Sequence, residues 1–170
     1  MASTQSSQTL CDFCRLPQAQ YACGPCSASL CRKCAVTLEG STFEFTEELP
    51  EELSHSIYCA ACYDNIVEPA KEDYEKTLAE AKEMPFWPKT YRGSIPVVRK
   101  GQTELRVEQA RDRSEVLLKL AFKAVRQGFS GLMYGELVGK KVRNEGYQKT
   151  EWRGNALPVH IDRTRLREDE

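Results

Sequence analysis

The sequence predicts an α+β protein made of two unlike parts: a small cysteine-rich finger, then a domain with one main helix on a mostly antiparallel sheet. Three observations carry that expectation. All eight cysteines of the 170 residues fall before residue 63. Charge changes sign along the chain, from 7 Lys/Arg against 14 Asp/Glu over residues 1–90 to 17 against 11 over residues 91–170. Beyond residue 90, short apolar runs bounded by turn residues surround a single stretch of helical periodicity. The charge contrast, −7 against +6, suits different partners for the two halves, or attraction between them.

Composition narrows the class. Mean hydropathy is −0.54 and 29% of residues are charged, the profile of a soluble globular chain. No run approaches the roughly 20 apolar residues that span a bilayer, so no membrane association is expected. Residues 1–9 are polar and uncharged and lack the apolar core of a secretory signal; they are expected to be disordered, and the chain to be cytoplasmic or otherwise intracellular. The expected segments are a double zinc finger over 10–63, a helix and linker over 64–90, the α+β domain over 91–162 and a flexible tail over 163–170.

The zinc expectation rests on spacing. The cysteines form four Cys-x-x-Cys pairs: Cys11/Cys14, Cys23/Cys26, Cys31/Cys34 and Cys59/Cys62, with 8, 4 and 24 residues between successive pairs. Such a turn aims two thiolates at one point, and two turns complete a tetrahedral sulfur shell. Four pairs therefore supply two closed all-cysteine sites, structural rather than catalytic, with no ligand left over. Disulfides would suit an exported chain, and a redox pair would sit between a strand and a helix; neither context is visible. Sequential pairing would join neighbouring pairs. A cross-brace would put Cys11, Cys14, Cys31 and Cys34 on one zinc and Cys23, Cys26, Cys59 and Cys62 on the other. The cross-brace is preferred because interleaved metals cross-link a segment too short for a core. His55 could substitute in the last pair, but four cysteines already complete that site, so an exposed loop position is expected.

Cys11-Asp-Phe-Cys14, Ala19-x-Tyr21-x-Cys23-x-x-Cys26 and Leu30-Cys31-x-x-Cys34 together resemble a B-box zinc finger over about 24 residues, nearest the plant CONSTANS type and the first B-box of tripartite-motif proteins. The resemblance implies a cross-brace in which pairs one and three share a metal, and a protein-interaction module without catalysis of its own. B-boxes close with nearby histidines, whereas this chain closes with Cys59/Cys62, which looks more like a RING or FYVE finger. The basic cluster by which FYVE domains hold a phosphoinositide is absent before Cys23, where Gln18-Ala19-Gln20-Tyr21-Ala22 stands.

Residues 35–58 are rich in glutamate, with a short strand expected near Thr42–Thr46 around Phe43 and Phe45. A helix is expected from Pro69 to Glu83, with Tyr74, Leu78 and Ala81 on one face and Pro85 as its stop. Met84–Pro88 reads as the connection between domains, with Phe86, Trp87 and Tyr91 packed at their junction. The main helix follows Asp112 and Glu115, which resemble a capping box, and ends before Gly128. Its apolar stripe is Val116, Leu117, Leu120, Ala121, Ala124 and Val125, with Lys119, Lys123 and Arg126 opposite. Strands are expected at 95–99, 104–108, 132–142, 147–153 and 157–162, with turns at Lys100-Gly101, Arg143-Asn144-Glu145-Gly146 and Gly154-Asn155.

Ala124-Val-Arg-Gln-Gly128-Phe-Ser-Gly-Leu132 and Trp152-Arg-Gly154-Asn-Ala156-x-x-Val159 give the second half a resemblance to the small α/β domain of the YbjQ type. That resemblance implies a helix–glycine–strand succession, a capacity to oligomerise and a link to metal binding. After residue 90 there is no cysteine and one histidine, His160, so a transition-metal site there is not expected. Nor is a hydrolytic set visible: the two histidines are far apart and no glycine-lysine loop could cradle phosphates. The expected function is that of a non-catalytic zinc-binding adaptor or regulator with a protein partner. The alternatives are a RING-like ubiquitin-ligase component, and nucleic-acid binding through Lys119, Lys123, Arg126, Lys140, Lys141 and Arg143.

Overall fold

The structure, a computed structural model, describes residues 9–16, 19–144 and 147–166. Residues 1–8, expected to lack order, lie outside the described residues, as do Glu145 and Gly146 of the expected turn and residues 167–170 of the expected tail. The chain divides into two compact units, Met1–Tyr74 and Glu75–Glu170.

In the first unit, β1 (Ala19–Ala22) pairs antiparallel with β2 (Ser29–Cys31), and β3 (Ala35–Thr37) pairs antiparallel with β4 (Ile57–Cys59). These ribbons are too short to make an apolar layer. Among the described residues up to Tyr74, ten apolar ones are buried, and four of them are Cys11, Cys23, Cys31 and Cys59, so sulfur stands where aliphatic side chains would stand in a larger domain. Leu30 is fully buried between Cys23 and Cys59. The strand expected near Thr42–Thr46 is instead a run of turns. The N–H groups of Thr42, Glu44 and Thr46 donate to the carbonyls of Glu39, Ser41 and Phe43, so the backbone is satisfied locally and has no ladder to join. Phe43 is buried there, edge-on to Tyr74 at 5.5 Å and 88°.

The helix expected from Pro69 begins earlier. Cys59 caps a first turn, α1 (Ala60–Cys62), which runs through a wide turn at Tyr63–Val67 into α2 (Glu68–Lys82). In the wide turn the Glu68 N–H donates to Tyr63 O, five residues back. Pro69, with no N–H of its own, follows at once. A proline inside a helix forfeits one i→i−4 bond, and the local widening is how the helix accommodates it. Met84 and Pro85 end the helix as expected.

The second unit is a five-stranded sheet under one main helix. β5 (Phe86–Pro88) pairs parallel with β8 (Gly131–Asn144), which pairs antiparallel with β9 (Tyr147–Ile161). β6 (Val97–Lys100) and β7 (Leu105–Ala110) share the other side of β9, each antiparallel and at opposite ends of it. The sheet is thus mostly antiparallel, and two expectations change. Phe86–Pro88 is a strand of this sheet rather than a connection, and Trp87 packs with Met133, Val159 and Ile161; Tyr91 is exposed. Gly154-Asn155 is not a turn: both residues sit inside the continuous β9, opposite Leu137 and Glu136. The expected tail also begins in order, because the Asp162 carboxylate accepts from the Thr164 N–H at 3.1 Å and Leu166 packs on the Met133 cluster.

The main helix, α3 (Arg113–Arg126), buries Val116, Leu120, Ala121, Phe122 and Ala124. Asp112 caps it, accepting from the Glu115 N–H at 2.8 Å. At the other end Gly128 takes φ +75°, and the N–H groups of Gly128 and Phe129 donate to Val125 and Ala124. That pair of bonds is the Schellman closure, and it explains why glycine stands there. Glu115 departs from the usual capping box by reaching one residue further back. Its carboxylate accepts from the backbone N–H and the Nε of Arg111 at 2.8 and 2.9 Å, and pairs with Lys119 at 2.8 Å. Lys119 first, then the Arg111 backbone N–H, holds its pKa down from 4.5 to about 2.

A carboxylate with a depressed folded pKa stabilises fully above its unfolded value and loses that contribution as pH falls through the folded one. Glu115→Gln is therefore expected to destabilise the second unit by about 2 kcal/mol at neutral pH, a loss of charge-assisted hydrogen bonds. The deficit should shrink as pH falls from about 4.5 towards 2. Urea titrations at pH 7 and pH 3 check this, and an equal deficit at both would refute the role given to Glu115.

Candidate metal centres

Two of the Cys-x-x-Cys turns are built alike. In the first, Cys11 N–H donates to Leu16 O at 2.9 Å and Arg15 N–H donates to Cys11 O at 2.8 Å. In the second, Cys23 N–H donates to Ala28 O at 2.9 Å and Ser27 N–H donates to Cys23 O at 2.8 Å. Arg15 and Ser27 both take left-handed φ values, 61° and 59°. These two knuckles are one motif used twice, and each bends the chain so that its two thiols converge on one group of four. The left-handed residue that closes each knuckle was not visible in the sequence, because glycine, the usual signal for that conformation, is absent from both positions.

The other two pairs are presented differently. Cys31 ends β2 and Cys34 precedes β3, with the Cys34 N–H donating to Cys31 O at 3.1 Å. Cys59 ends β4 and caps the helix, its sulfur accepting from the N–H of Cys62 at 3.4 Å. Each centre thus combines one knuckle with one pair from the β3–β4 ribbon's ends.

The thiols gather as two groups of four. Cys11, Cys14, Cys31 and Cys34 form one, Cys23, Cys26, Cys59 and Cys62 the other, and within each group all sulfurs lie within 4.8 Å of one another. Pairs one and three meet, and pairs two and four meet, so the groups interleave along the chain. Burial repeats as well: in both groups the first cysteine of each pair is buried and the second is more exposed.

The fit to a metal can be tested on distance. A sulfur tetrahedron with metal–sulfur bonds of about 2.3 Å has edges of about 3.8 Å. The Cys14–Cys31 separation is 3.6 Å and the Cys26–Cys59 separation 3.9 Å. Disulfide bonding needs about 2.05 Å, and all eight cysteines are free. Both groups could therefore hold a metal ion through four thiolates.

Electrostatics point the same way. The Cys14 backbone N–H lowers the Cys11 thiol to about 6, against the opposing effect of burial. Burial raises Cys23, but N–H groups of Cys26 and Cys59 outweigh it and bring that thiol down to about 7. Their neighbours move the other way: Cys34 is pushed up to about 12, chiefly by its contact with Cys31, and Cys62 to about 12 by burial and then Cys59. Four sulfurs packed this closely cannot all ionise unless a cation neutralises them.

The remaining candidates fall outside these groups. His55 is half-buried over Gly24, edge-on to Tyr58 at 6.2 Å. His160 is exposed on β9, 3.4 Å from the Ser130 hydroxyl. Two of the proposed phosphate contacts are drawn into the fold: Lys123 donates to Arg106 O at 2.6 Å, and Lys119 pairs with Glu115. Arg126 lies over the Phe122 ring at 5.5 Å. No helix among the described residues is long and apolar enough to cross a membrane. Comparison with protein-family models, curated proteins and solved structures gives no match.

Proposed function

We propose that the first unit is a double-zinc cross-brace finger of B-box, RING or FYVE character, working as a non-catalytic module that binds a protein partner. Cys11, Cys14, Cys31 and Cys34 ligate one zinc, and Cys23, Cys26, Cys59 and Cys62 the other. Four thiolates leave no coordination position for water or substrate, which is the arrangement of a structural site. All-sulfur tetrahedral shells favour zinc over harder cations.

The observation that carries the binding role is where apolar surface is left uncovered. Of the nine large hydrophobic residues exposed among the described residues, four lie within the first knuckle and its flanks: Leu10, Phe13, Leu16 and Tyr21. Leu10, Phe13 and Leu16 are each 50% exposed on a loop that the metal fixes in shape. Rigid apolar side chains on a preorganised loop lose little entropy on docking, which is how few residues come to dominate an interface.

The expected metal content is two zinc ions per chain. Phe13→Ser with Leu16→Ser should keep that stoichiometry while weakening capture of the partner at least tenfold. Iron in place of zinc, or capture undiminished in the double variant, would overturn the reading. Ubiquitin discharge from a charged conjugating enzyme is expected to proceed at its basal rate; acceleration would make the finger a ligase component instead.

A further inference from the structure

β8 and β9 outrun the sheet that holds them. β5 pairs with β8 only at Leu132 and Gly135, and β7 reaches along β9 only to Trp152. Beyond that point residues 140–144 of β8 and 147–151 of β9 pair with each other alone. The result is a two-stranded ribbon that extends roughly 17 Å past the sheet at about 3.4 Å per residue. Its base is braced by Trp152, whose ring packs where a Cβ on Gly139 would come within 3.1 Å.

The ribbon is cationic on both faces. Lys140 and Val142 stand opposite Glu151 and Lys149, so these four share one face; Lys141 and Arg143 stand opposite Thr150 and Gln148 on the other. Lys140, Lys141, Arg143 and Lys149 are all exposed, and among the described residues no ion pair holds any of them. Among the described residues of this stretch the one carboxylate is Glu151, and it is turned to Gln109, whose amide donates to it at 3.1 Å. Arg153 sits lower, lining a concavity of about 350 Å³ beside Glu104, Glu108 and Glu136, and is left out of the patch.

We propose that this ribbon docks on duplex DNA through the phosphate backbone, with residues 140–143 and 148–151 entering the major groove. Charge complementarity supplies the attraction. Shape selects the partner, because the B-form major groove, about 12 Å wide, admits a two-stranded ribbon whereas the A-form groove is too deep and narrow. The scarcity of apolar residues on the patch, Val142 among four cations, argues against insertion into a lipid surface. This binding is independent of the finger's role. It also uses a different set of residues from the helix face, since Lys119 and Lys123 are already bonded within the fold.

Fluorescence anisotropy of the full, zinc-loaded chain on a labelled 20-base-pair DNA duplex tests it. With about four phosphates neutralised, affinity should fall on the order of 100-fold between 50 and 200 mM salt. The triple variant Lys140→Gln, Lys141→Gln, Lys149→Gln should bind at least tenfold more weakly at 50 mM, with a salt slope shallower by about three. Lys76→Gln, Lys82→Gln, Arg113→Gln removes the same charge elsewhere and should bind like the parent. Unchanged tryptophan emission would show that the ribbon variant is folded. Equal binding by the two triple variants overturns the proposal, as does binding of an RNA duplex or of phosphatidylserine vesicles as tight as that of the DNA.

Discussion

Removal of zinc is expected to unfold residues 10–62 and leave the second unit folded. Structural zinc contributes on the order of 10–16 kcal/mol in finger peptides, more than a short, ribbon-poor segment gains from its own apolar burial. Four of the first unit's buried apolar residues are cysteines whose partners are other sulfurs, so without metal its interior is a set of crowded thiols. The interleaving adds to the effect. In the proposed two-zinc arrangement, the loop closed by Cys14 and Cys31 contains Cys23 and Cys26 of the other centre, so losing either ion is expected to release constraints on both. A convenient reporter exists: the chain has two tryptophans, Trp87 and Trp152, and both belong to the second unit. On chelation, amide dispersion from residues 10–62 should collapse while tryptophan emission stays unchanged. Dispersion that survives at zero measured zinc would refute the structural role. Acid should act as a chelator does, because protons compete for thiolates and the apparent zinc affinity falls with pH.

How much of this was legible in the sequence differs between the two units for a physical reason. Metal ligation needs particular residue types at particular spacings, and so the four Cys-x-x-Cys pairs and their capacity to make two groups of four could be read from the chain. What escaped was backbone detail carried by ordinary residues. Arg15 and Ser27 close the knuckles in a left-handed conformation that their side chains do not advertise, and Pro69 looked like a helix start although the helix begins at Ala60, capped by Cys59. In the second unit, the capping of α3 by Asp112 and its closure at Gly128 were readable because both are local bonds. Phe86–Pro88 was not, because a three-residue parallel strand is defined by a partner more than forty residues away, and apolar residues beside two prolines read equally well as a connection. The ribbon was half visible: Lys140, Lys141 and Arg143 stood out as charge, but only the register against β9 adds Lys149 to them, and only the bonds of Lys119 to Glu115 and of Lys123 to Arg106 O set those two apart.

Gly154 was misread for an instructive reason, and its replacement is expected to have a large effect on the second unit. Glycine beside asparagine signals a turn, yet here it lies mid-strand between Val107 of β7 and Leu137 of β8. The space above it is taken. A Cβ at this position would stand 2.6 Å from Leu137 Cδ2, 2.7 Å from Val116 Cγ1 and 2.9 Å from the backbone oxygen of Glu136. Val116 is fully buried on α3, so the absent side chain is what lets the helix approach the sheet this closely. The backbone oxygen has no rotamer with which to move aside. Gly154→Ala should therefore cost about 2–3 kcal/mol, the usual penalty for overpacking against groups that cannot yield. For a unit of this size that lowers the melting temperature by roughly 10–20 °C, followed by tryptophan emission. Gly93→Ala is the matched comparison. There the close atoms belong to the outer end of the exposed Tyr91 ring, which can swing away, so the change should stay within about 0.5 kcal/mol. Equal melting temperatures for the two variants would mean that the close approach of helix and sheet does not depend on the missing side chain of Gly154.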